Sequence, residues 1–160
     1  KKTLPGPPPT GKGRILVMDD DAGVRKVAGK ILTHLGYEVE FAVDGSEALD
    51  HYRRALEAGR PFDLVIMDLT IPGGLGGKET IKALLELDPE ARAIVSSGYA
   101  DDPIMTHYRE YGFAGVIKKP YRVDAFGHAL HQVLKGNKPA REPGAKAPTL
   151  PGSPGPKNSP

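Results

Sequence analysis

The sequence predicts an α/β fold, a doubly wound parallel sheet of the (βα)5 kind, over residues 14–135 of a 160-residue chain. Three observations carry this. Short apolar runs alternate five times with segments whose apolar residues recur at helical spacing, and strict alternation of strand and helix implies a parallel sheet covered on both faces. The first and third runs are apolar throughout, as central strands are, whereas the second alternates, as an edge strand does. Finally, half of the 20 glycines and 16 prolines fall in residues 1–13 and 136–160, which leaves the middle with an ordinary composition.

In chain order, Ile15-Leu16-Val17-Met18 forms the first continuous run. Val24, Val27, Ile31, Leu32 and Leu35 then share one helical face, and Gly36 closes that helix. Tyr37 to Val43 alternates, with Tyr37, Val39, Phe41 and Val43 on one face and Glu38 and Glu40 on the other. Ala48, Leu49, Tyr52, Ala55 and Leu56 mark a second helix, stopped by Gly59 and Pro61. Leu64-Val65-Ile66-Met67 is the next run, followed by a helix through Ile81, Leu84 and Leu85 that ends near Asp88-Pro89. Ala93-Ile94-Val95 is the fourth strand. A weakly patterned helix around Ile104, Met105 and Tyr108 leads to the short strand Gly115-Val116-Ile117. Val123, Phe126, Leu130, Val133 and Leu134 mark the last helix, stopped by Gly136. Central first and third strands with an edge second strand fit the flavodoxin-like order 2-1-3-4-5.

Residues 1–13, with Pro7-Pro8-Pro9, read as a linker, and residues 136–160 as a disordered Pro/Gly-rich tail. Lys1, Lys2 and Lys12 sit in the first segment; Lys138, Arg141, Lys146 and Lys157 against Glu142 sit in the last. The chain total is +2, so the middle is mildly acidic. That excludes the basic fold of a nucleic-acid-binding domain, and the tail holds no helix-turn-helix. The absence of cysteine excludes disulfides, thiolate zinc sites and a cysteine nucleophile. No apolar run approaches the roughly 20 residues that span a bilayer, and Pro5 to Pro9 stands where a signal peptide needs apolar residues. The expected compartment is the cytoplasm, with no membrane contact by this segment. The five histidines scatter over the helices, and no carboxylate cluster accompanies His128 and His131, which could share a face, so surface or packing roles are expected.

In a parallel sheet the C-terminal strand ends form one rim, and ligands bind there. Strand 1 runs into Asp19-Asp20-Asp21, strand 3 into Asp68, strand 4 into Ser96-Ser97 and strand 5 into Lys118-Lys119-Pro120. Carboxylates gathered this closely repel one another unless a cation joins them. A hard divalent ion such as Mg²⁺, which takes one or two carboxylates plus waters and phosphate oxygens, suits the set. A carboxylate is also a nucleophile able to form an acyl phosphate, whose charge a metal, a hydroxyl and a lysine would neutralise. Taken alone, an acidic run is more often a helix cap, and Asp21 reads as one. Ser96, on the strand face opposite Ser97, reads as structural, Lys118 as solvated, Asp63 as a turn residue at a strand entry, and Tyr121 as packing with some interface role. Asp101-Asp102-Pro103 reads as a helix start.

Together, Ile15-Leu16-Val17-Met18-Asp19-Asp20-Asp21, Asp63 through Pro72, Val95-Ser96-Ser97-Gly98-Tyr99 and Lys119-Pro120 resemble the receiver domain of two-component response regulators, over roughly residues 13–135. Asp68 through Glu79 is most similar to receivers of hybrid sensor histidine kinases. The resemblance implies that Asp68 is the phosphoacceptor and takes its phosphoryl group from the phosphohistidine of a histidine kinase or a histidine phosphotransfer domain. Asp20 would bind Mg²⁺ directly, Asp19 through water, and Asp68 and the backbone carbonyl of Thr70 would complete the protein ligands. Ser97 would donate its hydroxyl to the phosphoryl group and begin the conformational switch, Lys119 would pair with Asp68 and then with the phosphate, and Pro120 would follow a cis peptide bond. The chain would then catalyse only its own phosphotransfer and dephosphorylation, either as a stand-alone regulator or as part of a hybrid kinase whose catalytic core lies elsewhere. A phosphorylation-dependent dimer is a further state such a module can reach.

Two departures stand out. Val116 occupies the place where the family often has an aromatic switch residue, leaving Tyr99 as the available substitute. The loop Gly73-Gly74-Leu75-Gly76-Gly77 is one residue longer than the common form. Thr70 and Tyr99 flank the phosphoryl position and are expected to limit water access and slow hydrolysis. Two other readings compete. A phosphohydrolase of the haloacid-dehalogenase type needs a second Asp where Thr70 stands, together with a cap domain. A degenerate receiver that only binds a partner would lack site residues, yet every residue type is present.

Overall fold

The computed structural model describes residues 10–99 and 101–135. Five parallel strands form one sheet in the order β2-β1-β3-β4-β5: β1 Arg14–Met18, β2 Glu38–Ala42, β3 Leu64–Asp68, β4 Ala93–Ser97 and β5 Gly115–Lys118. The helices are α1 Ala22–His34, α2 Gly45–Glu57, α3 Gly77–Leu87, α4 Pro103–Thr106, α5 Tyr108–Tyr111 and α6 Val123–Lys135. The apolar runs form the middle of the sheet because residues alternate between its faces and both faces are covered. Leu16, Met18, Val65, Met67 and Val95 face α2, α3 and α4. Ile15, Val17, Leu64, Ile66 and Ile94 face α1 and α6, where Phe126 and Leu130 are fully buried.

Strand 2 departs from its sequence pattern. Tyr37 is buried, but Phe41 and Val43 are exposed, while Ala42 on the opposite face is buried. The Phe41 ring meets α1 with its tip, and a Cβ on Gly29 would stand 2.8 Å from its Cζ. The fourth crossover also differs from the single helix expected. It is two turns, α4 and α5, separated at His107, whose backbone leaves the helical region (φ −111°, ψ 38°). Only Ile104 and Met105 of this stretch are buried, too little apolar surface to hold a continuous helix. Asp102 starts α4 by accepting from the Ile104 amide at 2.9 Å, as its sequence position implies.

The tail over 136–160 lies outside the described residues, as do residues 1–9 of the linker expected over 1–13. The described end of that segment joins the fold: the Gly11 amide donates to the Leu35 carbonyl at 2.9 Å and the Gly13 carbonyl accepts from Glu38. At the strand entries Asp63 accepts from the Arg14 amide at 2.8 Å. Beside it Lys12, Phe62, Arg92 and Leu134 line one crevice of about 400 Å³. Arg92 closes the end of α6 there by donating to the Val133 and Leu134 carbonyls at 3.0 and 2.8 Å.

Gly76 shows how tightly the rim is built. It caps α3, and a Cβ on it would stand 2.4 Å from the Leu69 carbonyl oxygen and 3.1 Å from the Ile71 nitrogen. That carbonyl already accepts the Gly77 amide at 3.1 Å, and backbone yields less readily than side chains. Gly76→Ala is therefore expected to cost about 1–3 kcal/mol, read as a lower urea midpoint at unchanged slope. A midpoint equal to wild type would mean the loop relaxes freely.

Candidate functional site

The strand register delivers the polar residues to one rim. Met18 pairs with Met67, so Asp19 and Asp68 emerge side by side. Asp68 pairs with Ser96, and Ser97 with Lys118. Carboxylate oxygens of Asp19, Asp20 and Asp68 lie within 4.8 Å of one another, with Asp19 and Asp68 buried and Asp20 exposed. The Lys119 ammonium reaches Asp19 Oδ2 at 2.8 Å and Asp68 Oδ1 at 3.2 Å.

The loop after β1 is fixed from both sides. Asp21 caps α1, its Oδ1 accepting from Gly23 at 2.8 Å and Val24 at 3.2 Å. Asp19 Oδ1 accepts the Asp21 amide at 3.0 Å. Asp19 Oδ2 is met by the Lys119 ammonium. Arg25 Nη1, one turn into α1, donates to the Asp19 carbonyl at 2.8 Å. Sequence reasoning missed this arginine, because Asp19 precedes the helix and no periodicity links the two.

Electrostatically the cluster is poised. Burial, reinforced by the Asp19 carboxylate, pushes Asp68 up to about 6 against the opposing pull of Lys119. Burial also works against the Lys119 charge, but the two carboxylates outweigh it and hold its pKa above the ordinary lysine value. Three carboxylates, two of them buried, within 4.8 Å of one another are an all-oxygen donor set. It fits a hard divalent cation such as Mg²⁺.

The other residues singled out from the sequence are more dispersed. Ser97 is buried, its Oγ accepting from the Tyr99 amide at 3.0 Å, which leaves its hydroxyl proton free to donate. Thr70 is exposed on the loop after β3. Tyr99 is 75% exposed. Val116 is half-buried on β5 opposite Val95, packed on the α2–α4 side of the core. Pro120 follows a cis bond from Lys119. Among the described residues, no hydrogen bond or ion pair joins the side chains of Ser97, Thr70, Tyr99 or Val116 to the three carboxylates. Ser96 and Tyr121, read as structural and packing residues, bond each other, Ser96 Oγ to Tyr121 Oη at 2.7 Å. That contact spans 25 residues and has no local sequence signal.

Residues 15–131 match the response regulator receiver domain. The chain is 33% identical over 123 residues to chemotaxis protein CheY of Thermotoga maritima, covering 76% of this chain and 98% of that one. It is 37% identical over 89 residues to the CAI-1 autoinducer sensor kinase/phosphatase CqsS of Vibrio cholerae, covering 56% of this chain and 12% of that protein. Among solved structures, Vibrio cholerae chemotaxis protein CheY4 is similar with a TM-score of 0.67 and 27% identity, covering 78% of this chain and 100% of that one. In sequence over most of its length, and in strand order, the chain belongs to the response regulator receiver domains of two-component signalling.

Proposed function

We propose that Asp68 accepts a phosphoryl group from the phosphohistidine of a histidine kinase or a histidine phosphotransfer domain. The observation that carries this is the position of Asp68, nucleophile-like at a strand end, with the Lys119 ammonium at 3.2 Å and two further carboxylates beside it. In the transfer an Asp68 oxygen forms a bond to phosphorus as the phosphorus–nitrogen bond to the donor imidazole breaks, and the leaving imidazole takes up a proton. Asp19, Asp20, Asp68 and the Thr70 carbonyl would hold Mg²⁺, which when bound neutralises the phosphoryl oxygens. Lys119 would move from the carboxylates to the new dianion, and Ser97 would give it the hydroxyl hydrogen. These donors stabilise charge that develops only as the group arrives, so the switch in conformation would start from Ser97 and Lys119. Thr70, Tyr99 and Val116 would set its lifetime and its output.

The chain would carry out only its own phosphotransfer and autodephosphorylation. The similarity to a segment of a sensor kinase/phosphatase favours a place in a hybrid histidine kinase. No described helix is long and apolar enough to cross a membrane, and a cytoplasmic setting suits a phosphohistidine donor. No DNA contact is proposed, and a phosphorylation-dependent dimer is a state such a module would reach.

The test is intact mass after incubation with a small acyl phosphate donor. One added phosphoryl group is expected with Mg²⁺, and none with chelator. A folded chain that takes none under the same conditions supports instead the reading as a partner-binding module, with Val116 the first residue to change.

A further inference from the structure

We propose that the Ser96–Tyr121 hydroxyl pair is a latch behind the site, making both side chains positioning residues for Lys119. This rests on the phosphoacceptor reading and extends it to side chains that make no bond to the acceptor or to the carboxylates that would hold the cation. Consecutive strand residues point to opposite faces, and Ser96, which pairs with Asp68 in the sheet, lies on the acceptor's face while Ser97 lies on the other. Ser96 is fully buried, and its hydroxyl is satisfied by Tyr121 at 2.7 Å. Its carbonyl accepts the amide of Leu69, the residue after Asp68, at 2.9 Å. One residue thus ties the segment following the acceptor to the segment following the lysine.

The Lys119-Pro120-Tyr121 turn is fastened to β4 at both ends. The Lys119 amide donates to the Ser97 carbonyl at 2.9 Å, and the Tyr121 hydroxyl meets Ser96. From that turn the lysine stem reaches Asp19 and Asp68. A flexible four-carbon stem places its charge only as well as its backbone is held, and misplacement of about 1 Å at a reacting centre can cost roughly a hundredfold in rate. The Tyr121 ring is held separately, edge-on to Phe126 with centroids 4.8 Å apart. Burial pushes its phenol up to about 12, so the hydroxyl keeps its proton over the range in which the site works. Ring and hydroxyl therefore do different things: one packs and the other latches. Tyr121→Phe removes only the second.

The experiment uses the full chain, a small acyl phosphate donor and Mg²⁺. The rate constant for phosphoryl incorporation is measured for wild type, Tyr121→Phe, Ser96→Ala and the double variant, well below each melting temperature. Each single variant is expected to slow roughly three- to tenfold, and the double no further, because both remove the same bond. Mg²⁺ affinity is expected to stay within about twofold, while hydrogen exchange at the Lys119 amide quickens. A general loss of stability would not confine faster exchange to that turn. If Ser96→Ala does not fold, Tyr121→Phe decides alone, through rate and exchange. A Tyr121→Phe rate equal to wild type, or a double variant slowed by the product of the two singles, overturns the latch. A wild type that takes no phosphoryl group at all overturns the acceptor reading and the latch with it.

Discussion

Asp68→Asn is expected to give a folded chain that accepts no phosphoryl group and is more stable than wild type when no divalent ion is present. The first part follows from chemistry, since an amide oxygen is too weak a nucleophile to replace the carboxylate. The second follows from linkage. The ordinary carboxylate value is 3.8, and Asp68 is pushed up to about 6 by burial and by Asp19. A group whose folded pKa is raised contributes stability that is complete below its unfolded value and is lost as pH rises through the folded one. The wild type should therefore lose on the order of 1–2 kcal/mol between about pH 4 and pH 7 through this group, the shift being discounted for solvent screening. The Asn variant should lack that part of the slope. Urea denaturation in chelator across this range checks it. Parallel curves for the two proteins would mean that Lys119 compensates the buried charge fully.

The second large effect lies beneath the site. Phe126 is fully buried among Ile15, Ile94 and Ile117 and receives the edge of Tyr121. Phe126→Ala is expected to cost about 3–5 kcal/mol, a large part of the 5–15 kcal/mol typical of a whole domain. The removed ring leaves a cavity between sheet and helix, and both walls are tied down. The strands of Ile15 and Ile94 are paired on both sides, and α6 is anchored at its end by Arg92. Equilibrium unfolding in urea measures the loss. A cost near 1 kcal/mol would show that α6 settles into the space.

The apolar runs at β1, β3 and β4 made the fold legible, because a strand buried on both faces has few other sequences open to it. The acidic rim was legible for the same reason: a strand assignment places its last residue at the C-terminal edge, so Asp19, Asp68 and Lys119 could be gathered without coordinates. What escaped was non-local or marginal. The break at His107 depends on how little surface α4 and α5 bury. The exposure of Phe41 and Val43 depends on how much of an edge strand its neighbours cover. The bonds from Arg25 to Asp19 and from Ser96 to Tyr121 depend on side-chain reach between elements, which periodicity does not encode. The geometry likewise leaves Thr70, Tyr99 and Val116 outside the bonded cluster, so their influence on lifetime would act through access and movement.

The crevice shared by Lys12 and Leu134 has a consequence for how the unit is strung on a chain. It lies at the strand entries, and the acidic rim lies at their exits, roughly 16 Å away along five-residue strands. Entry and exit of the polypeptide therefore share one pole, and the chemistry occupies the other. A unit built this way hangs from its backbone like a bead on a short loop. It adds little to the end-to-end span of any longer chain, and its acidic rim faces the pole opposite both described ends.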